Sequence, residues 1–186
     1  MRVELRGYTD RWNDIKETTM TTIGLDKGKY PTSKWKTELL KSEHSPARLG
    51  EIRVKLWDIK YWVVGHLVRH HIGVEKFVTT QRTDRTGVNR DELPQGALVN
   101  LELHMNFQAV ISISRKRLCK CASQETQDAW IAVLKVINEV EPELVSLCVA
   151  ECVYRGHCTE MFPCGYSESK HYRDYLEYYQ DYKGVE

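Results

Sequence analysis

The sequence has no apolar run long enough to cross a bilayer. It also has no uninterrupted apolar segment near its start, where Met1-Arg2-Val3-Glu4-Leu5-Arg6 alternates and Asp10-Arg11 follows. Both absences argue against a membrane span or a signal peptide, so the cytoplasm is the expected compartment. Charge bias is missing too: 27 Lys and Arg stand against 26 Asp and Glu, a formal charge of +1. A chain that lives on nucleic acid or anionic membrane carries an excess of cations, so neither is an expected partner and any anion site must be local. Among the six cysteines there is no CxxC pair. Cysteines in a cytosolic chain are more often thiols than disulfides, and structural zinc sites usually include one tight pair. Cys148, Cys152, Cys158 and Cys164 are the four that would hold zinc if any did, and the expectation is that no metal is bound. There is no internal repeat, linker or low-complexity run, and 186 residues suffice for one domain with a real core.

Periodicity outlines an α+β chain. Residues 1–8 and 51–57 alternate as half-buried strands do, with Ile52, Val54 and Leu56 facing the core. Thr9-Asp10 and Thr32-Ser33 offer caps for helices running towards Thr22 and Ser42, separated by a turn over 27–31. Val63, Val64, Leu67 and Val68 switch to a helical period and deliver Arg69-His70-His71 at the C-terminal end. Residues 74–80 read as extended, and 81–89 as a polar loop closed by Gly87. Pro94 opens an expected long helix through Cys119, with Ala97, Leu101, Met105, Ala109 and Ile113 on one face. Ser123 caps another helix burying Trp130, Leu134 and Ile137, and Pro142 opens a last one to about Tyr154. The expected organisation is one domain over 1–166 and a Tyr-rich, charged tail over 167–186.

Arginines emerge from several ordered elements: Arg69, then Arg82, Arg85 and Arg90, then Arg115 and Arg117. Their planar forks suit phosphate and imide oxygens better than lysine's point charge does. The plainer alternative is a set of surface ion pairs, because acids nearly equal bases. Other positions have plain alternatives as well. His44 before Ser45-Pro46 can cap a turn, Thr79-Thr80 can be ordinary strand residues, and Ser114-Arg115-Lys116-Arg117 can be a solvated face. Adjacent His70 and His71 point apart on a helix, which argues against a metal there.

Taken in order, these segments resemble the flavin-dependent thymidylate synthases. Arg69-His70-His71-Ile72-Gly73-Val74 resembles the family's Arg-His-Arg-x-x-Ser, with His44 ahead of it. Arg90-Asp91-Glu92-Leu93-Pro94 is similar to an Arg-x-x-Leu-Pro helix start. Asn106, Ser112 and Arg117 fall at the spacing of the family's Asn/Arg-rich helix, and Ala122-x-x-Glu125 follows as Ala-Gln-x-Glu does. The resemblance covers roughly residues 40–155. Departures are His71 for an arginine, Val74 for the serine, Gln108 for an arginine, and Lys76 to Arg82 where Asn-Glu-x-Ser-x-Arg belongs.

The resemblance implies a small antiparallel sheet packed with a helical bundle. It also implies FAD-dependent transfer of a one-carbon unit from methylenetetrahydrofolate to C5 of dUMP, giving thymidylate or another C5-modified deoxyuridylate, with NADPH as reductant, in a homotetramer whose flavins lie between subunits. Carried across, Arg90 would hold the nucleotide phosphate and Arg117 the uracil edge, with Arg82 and Thr80 lining that pocket. His44, Arg69, His70, His71, Asn106 and Ser112 would meet the flavin. The altered signature leaves two alternatives: a binding protein of this fold that has lost its chemistry, or a zinc-stabilised interaction protein.

Overall fold

The computed structural model describes residues 1–26 and 28–182; Lys27 of the expected turn and residues 183–186 of the expected tail lie outside them. Alternation produces the sheet. β1 (Arg2–Tyr8) pairs antiparallel with β2 (Glu51–Lys60). Ile52, Val54 and Leu56 of β2 are fully buried, as their spacing requires. β2 runs three residues further than the alternation of 51–57 suggests. It passes an irregularity near Asp58, whose φ is 54° and whose N–H donates to Asn100 Oδ1 at 3.1 Å.

The helices between these strands form where apolar spacing and caps coincide. In α1 (Trp12–Thr21), Trp12 N–H donates to Asp10 Oδ1 at 2.9 Å, and Trp12 and Ile15 face the core. Thr32 caps α2 (Ser33–Lys41) by accepting from Trp35 N at 3.3 Å. A 3-10 turn over Ser45–Leu49 then leads into β2. α3 (Tyr61–Leu67) follows β2 directly and buries Val63, Val64 and Leu67. It is followed by β3 (Val74–Val78) and by α4 (Thr83–Thr86), a single exposed turn inside the stretch expected as loop.

The expected helix from Pro94 to Cys119 does not form as one element. Pro94 accepts a turn bond from Ala97 N, and the chain then enters β4 (Leu98–Asn106) before α5 (Phe107–Arg117) begins. Leu101 and Met105 lie four apart, which fits one helical face and also every second residue of a strand. The complete set Val99, Leu101, Leu103 and Met105 is buried, and that is a period of two. β4 joins β2 and β3, so the antiparallel sheet has the order β1-β2-β4-β3.

Helices cover one face of this sheet. The other carries alternating charges, with Lys55 opposite both Glu4 and Glu102. α6 (Gln124–Asn138) buries Trp130, Val133, Leu134 and Ile137 against β1 and β2. Each such side chain removed from water contributes about 1.5–3 kcal/mol. The single helix expected after Pro142 is broken into α7 (Pro142–Ser146) and α8 (Glu151–Arg155), with buried residues 147–150 between them. In the segment expected as a tail, α9 (Lys170–Asp181) packs on α8 of its own chain. It buries Tyr172 and Tyr179, and Tyr172 OH donates to Cys152 O at 3.0 Å.

Candidate functional site

The junction of β4 and α5 positions the site. Asn106 ends the strand and caps the helix, its Oδ1 accepting from Ala109 N at 2.8 Å. Its amide therefore has a local structural partner, where a mid-helix Asn would have needed a ligand. Backbone bonds of 3.0 Å from Asn106 N to Gly73 O and from Phe107 N to Gly50 O tie the junction on both sides. Gly73 has a φ of 71°, and a Cβ there would stand 2.5 Å from Asn106 Nδ2. Only glycine fits that approach without moving the cap.

Beside this junction lies a cleft of about 450 Å3. It is lined by Arg48, by Arg69, His70, His71 and Ile72 after α3, and by Asn106, Gln108, Ala109, Ser112 and Ile113. A smaller cleft of about 300 Å3 adjoins it and shares Arg48 and Asn106. The structure thus brings together five of the six residues assigned to the flavin by resemblance. His44 stays exposed in the turn just before the 3-10 helix that carries Arg48. Arg48 was not anticipated; it follows Ser45-Pro46-Ala47, which signals only a turn. Among the described residues neither Arg48 nor Arg69 has a salt-bridge partner.

Arg117 closes one side of the arrangement. Its Nε donates to His70 Nε2 at 2.9 Å. A guanidinium is always a donor, so Nε2 is bare and the neutral ring carries its proton on Nδ1. Burial, then the Arg117, Lys76 and His71 charges, hold His70 down at about 4. Burial and the nearby Arg69 charge lower Arg117 from its ordinary value as well. Two guanidiniums held close together in a partly dry setting favour an anion between them.

The depressed imidazole has a consequence for stability. Between about pH 6.5 and about 4 the unfolded chain binds this proton more readily than the folded one. The contribution is complete above that window and is lost as pH falls through it. Urea unfolding across the window should show a flatter pH slope in His70→Gln than in the parent, because glutamine can accept from Arg117 without titrating. Identical slopes would remove His70 from this role.

Arg115 points elsewhere. It ion-pairs with Glu43 and lies 3.5 Å over the Tyr154 ring. Gln108, in the place of a family arginine, donates to the same Glu43 at 2.8 Å. Burial pushes Glu43 up, but bonds from Arg115, Tyr154 and Gln108 outweigh it and leave the carboxyl below its usual range. Glu43 has a φ of 52° in the turn that ends α2, where His44 N donates to Leu39 O at 3.2 Å. Ser112 lines the cleft and bonds locally to Gln108 O at 2.8 Å.

Three of the four residues assigned to the nucleotide are not in this cleft. Thr80, Arg82 and Arg90 lie on an exposed arm between β3 and β4. Arg82 forks onto Asp84 with bonds of 3.0 and 2.7 Å. Arg90 begins a 3-10 turn over Arg90–Glu92 where the resemblance implied a helix start, with its N–H donating to Thr83 Oγ1 at 3.3 Å.

Cys148, one of the four zinc candidates, is buried and donates to Leu144 O at 3.3 Å. Cys152, Cys158 and Cys164 instead gather with Cys119 and Cys121 at the far end of α5. Among the described residues no group of three or more Cys, His, Asp or Glu side chains is placed so that it could hold a metal ion as it stands. No described helix is long and apolar enough to cross a membrane.

No family model matches the chain. A flavin-dependent thymidylate synthase of Nitratidesulfovibrio vulgaris is 32% identical to it over 92 residues, which cover 46% of this chain and 38% of the relative. The chain therefore spans well under half the length of that curated relative. Among solved structures, the flavin-dependent thymidylate synthase ThyX of Helicobacter pylori, complexed with FAD and dUMP, superposes with a TM-score of 0.63. The match covers 80% of this chain and 100% of that one, at 13% identity. PolB of Streptomyces cacaoi, a UMP/dUMP methylase bound with 5-Br dUMP, gives 0.62 over 80% of this chain and 96% of its own, at 14% identity. The chain shares the fold of these solved structures, and over 92 residues its sequence is similar to that of the flavin-dependent thymidylate synthase of Nitratidesulfovibrio vulgaris.

Proposed function

We propose that this chain binds FAD and a pyrimidine deoxynucleotide and moves a one-carbon unit from methylenetetrahydrofolate to C5 of dUMP, with NADPH as reductant. One observation carries the reading. The cleft beside the β4–α5 junction holds two arginines without acidic partners among the described residues, and a third, Arg117, is fixed at its edge by His70. Such a site suits a ligand with both phosphates and an imide face. The larger cleft falls within the usual range for small-molecule sites of about 300–1,000 Å3, and its neighbour extends it for a dinucleotide.

Reduced FAD would supply the hydride. The chain's own residues bind and orient. Arg48 and Arg69 would meet the pyrophosphate, with Asn106 and Ser112 along the ring system. His70 is a positioning residue: by accepting from Nε it leaves both terminal amino groups of Arg117 free for the uracil O4/N3 edge. A cation there withdraws electrons from the ring and stabilises charge that develops as C5 reacts. His71 and Gln108 replace two family arginines, so fewer cations would hold the flavin here.

Thr80, Arg82 and Arg90 stand on the exposed arm, away from their own chain's cleft. In a homotetramer with flavins between subunits, the arm would serve a neighbour's site, where Arg90 would reach the phosphate while Arg82 and Thr80 line the base pocket. The same placement favours a second reading, a flavin-binding protein of this fold without turnover. FAD titration followed by fluorescence quenching tests the shared part. Arg69→Ala should lose a charge-assisted contact worth about 1.5–3 kcal/mol with the fold retained. Unchanged affinity would place the flavin elsewhere. Tight FAD binding without conversion of dUMP would select the second reading.

A further inference from the structure

The proposed flavin site uses none of the cysteines, yet five of the six meet in one place. Cys119 and Cys121 lie just past the C-terminus of α5, Cys152 lies on α8, and Cys158 and Cys164 lie on the loop that follows it. The cavity they line has a volume of about 10 Å3. That is room for one ion or water and for no organic ligand.

The loop itself needs an anchor. Between Gly156 and Gly165 it forms no helix or strand, and residues 157–164 make no backbone–backbone hydrogen bond among the described residues. Met161 and Phe162 at its tip are 86% and 83% exposed, so no apolar burial holds it there. Its sulfur ties are weak and long: Cys119 Sγ to Glu160 Oε1 at 3.9 Å and Cys121 Sγ to Phe162 O at 3.7 Å. Even so, the loop brings two cysteines against Cys119-Lys120-Cys121.

We infer that Cys119, Cys121 and Cys164, with a fourth thiolate from Cys152 or Cys158, form a binding site for a zinc ion that pins the 156–165 loop to the end of α5. The tight pair missing from the C-terminal cysteines is supplied by Cys119 and Cys121, which are far away in sequence. Cys148 is excluded by its place in the core. Filling the site takes rotation of thiols that now point to Glu160 and Phe162, exchanging two weak sulfur contacts for metal bonds. Soft, clustered thiol ligands in a cavity of ionic size match zinc's preference for tetrahedral sulfur.

The test uses the full chain, expressed with added zinc and purified under reducing conditions. Elemental analysis should find about one zinc per chain, and chelation should lower the melting temperature. Cys121→Ser and Cys164→Ser should each cut the zinc content at least severalfold, whereas Cys148→Ser should retain it. Exchange of zinc for cobalt in the unmodified protein keeps the test decisive if a variant fails to fold. A near-ultraviolet sulfur-to-cobalt charge-transfer band with intense tetrahedral visible bands is the expected result. Metal-free protein with no such spectrum would overturn the assignment, and so would zinc retained in both Cys121→Ser and Cys164→Ser.

Discussion

Arg117→Lys is expected to weaken dUMP binding to the FAD-loaded protein by about 1–3 kcal/mol, roughly 5- to 150-fold in Kd, while FAD stays bound. Lysine keeps the charge but loses the fork, and with it both the bond to His70 Nε2 and the paired donors aimed at the uracil edge. Arg115→Lys is the internal comparison, because it lies two residues away on the same helix and faces Glu43 and Tyr154. It should leave dUMP affinity unchanged and lower the melting temperature, since a half-buried ion pair and a stacked guanidinium are disturbed. Calorimetric titration of dUMP into both variants decides the matter. Equal losses of affinity would sink the assignment of Arg117 to the nucleotide, as would a parent protein that takes up FAD but no dUMP.

A larger effect on stability is expected at Glu141, far from the cleft. Its carboxylate is almost wholly buried. It accepts from Tyr8 OH at 2.7 Å and from Trp12 Nε1 at 2.8 and 3.1 Å, tying β1 and α1 to the end of α6. Glu141→Ala leaves the buried Trp12 Nε1 and the half-buried Tyr8 OH without their acceptor and opens a void beside Trp12, so a loss of about 2–5 kcal/mol is expected. Glu141→Gln keeps one acceptor oxygen and should lose less. Urea denaturation midpoints of the two variants give the comparison. A Glu141→Ala midpoint within error of the parent would show that water replaces the carboxylate at no cost.

How much of this could be read from the sequence depended on whether each signal was local. The alternation of Ile52, Val54 and Leu56, the Thr32 cap and the apolar spacing of Trp130, Leu134 and Ile137 each describe one element, and each of those elements forms. The stretch from Pro94 to Cys119 misled because Ala97, Leu101 and Met105 satisfy a period of four, while the intervening Val99 and Leu103 complete a period of two. A better signal was present: Asn106 directly before an apolar-periodic run is a cap as well as a candidate ligand contact. In the cleft, residues carried by the β4–α5 junction and by the segment after α3 lie side by side. Arg48 joined them through a turn whose direction no local pattern states. The meeting of Cys119 and Cys121 with Cys158 and Cys164 spans some forty residues of chain, and only the folding of α8 back along α5 creates it.

Because β4 passes into α5 without an intervening loop, the strand's register sets the helix's rotation. One residue inserted between Leu101 and Phe107 would move the rest of β4 to the opposite face of the sheet, and in the helix each residue is worth about 100° of turn. Asn106, Ser112 and Arg117 would then swing away from Arg69 and His70 together, even though every one of them was kept. The arm over residues 79–97 has the opposite character. Thr79 N bonds to Asn100 O at 3.0 Å and Asn100 N to Thr79 Oγ1 at 3.2 Å, closing its base before the arm departs. Residues can be added or removed above that clasp without disturbing the cleft. The chain therefore has one stretch whose length is a coordinate of its own cleft and another whose length does not enter that cleft, and divergent relatives should tolerate insertion in the second sooner than in the first.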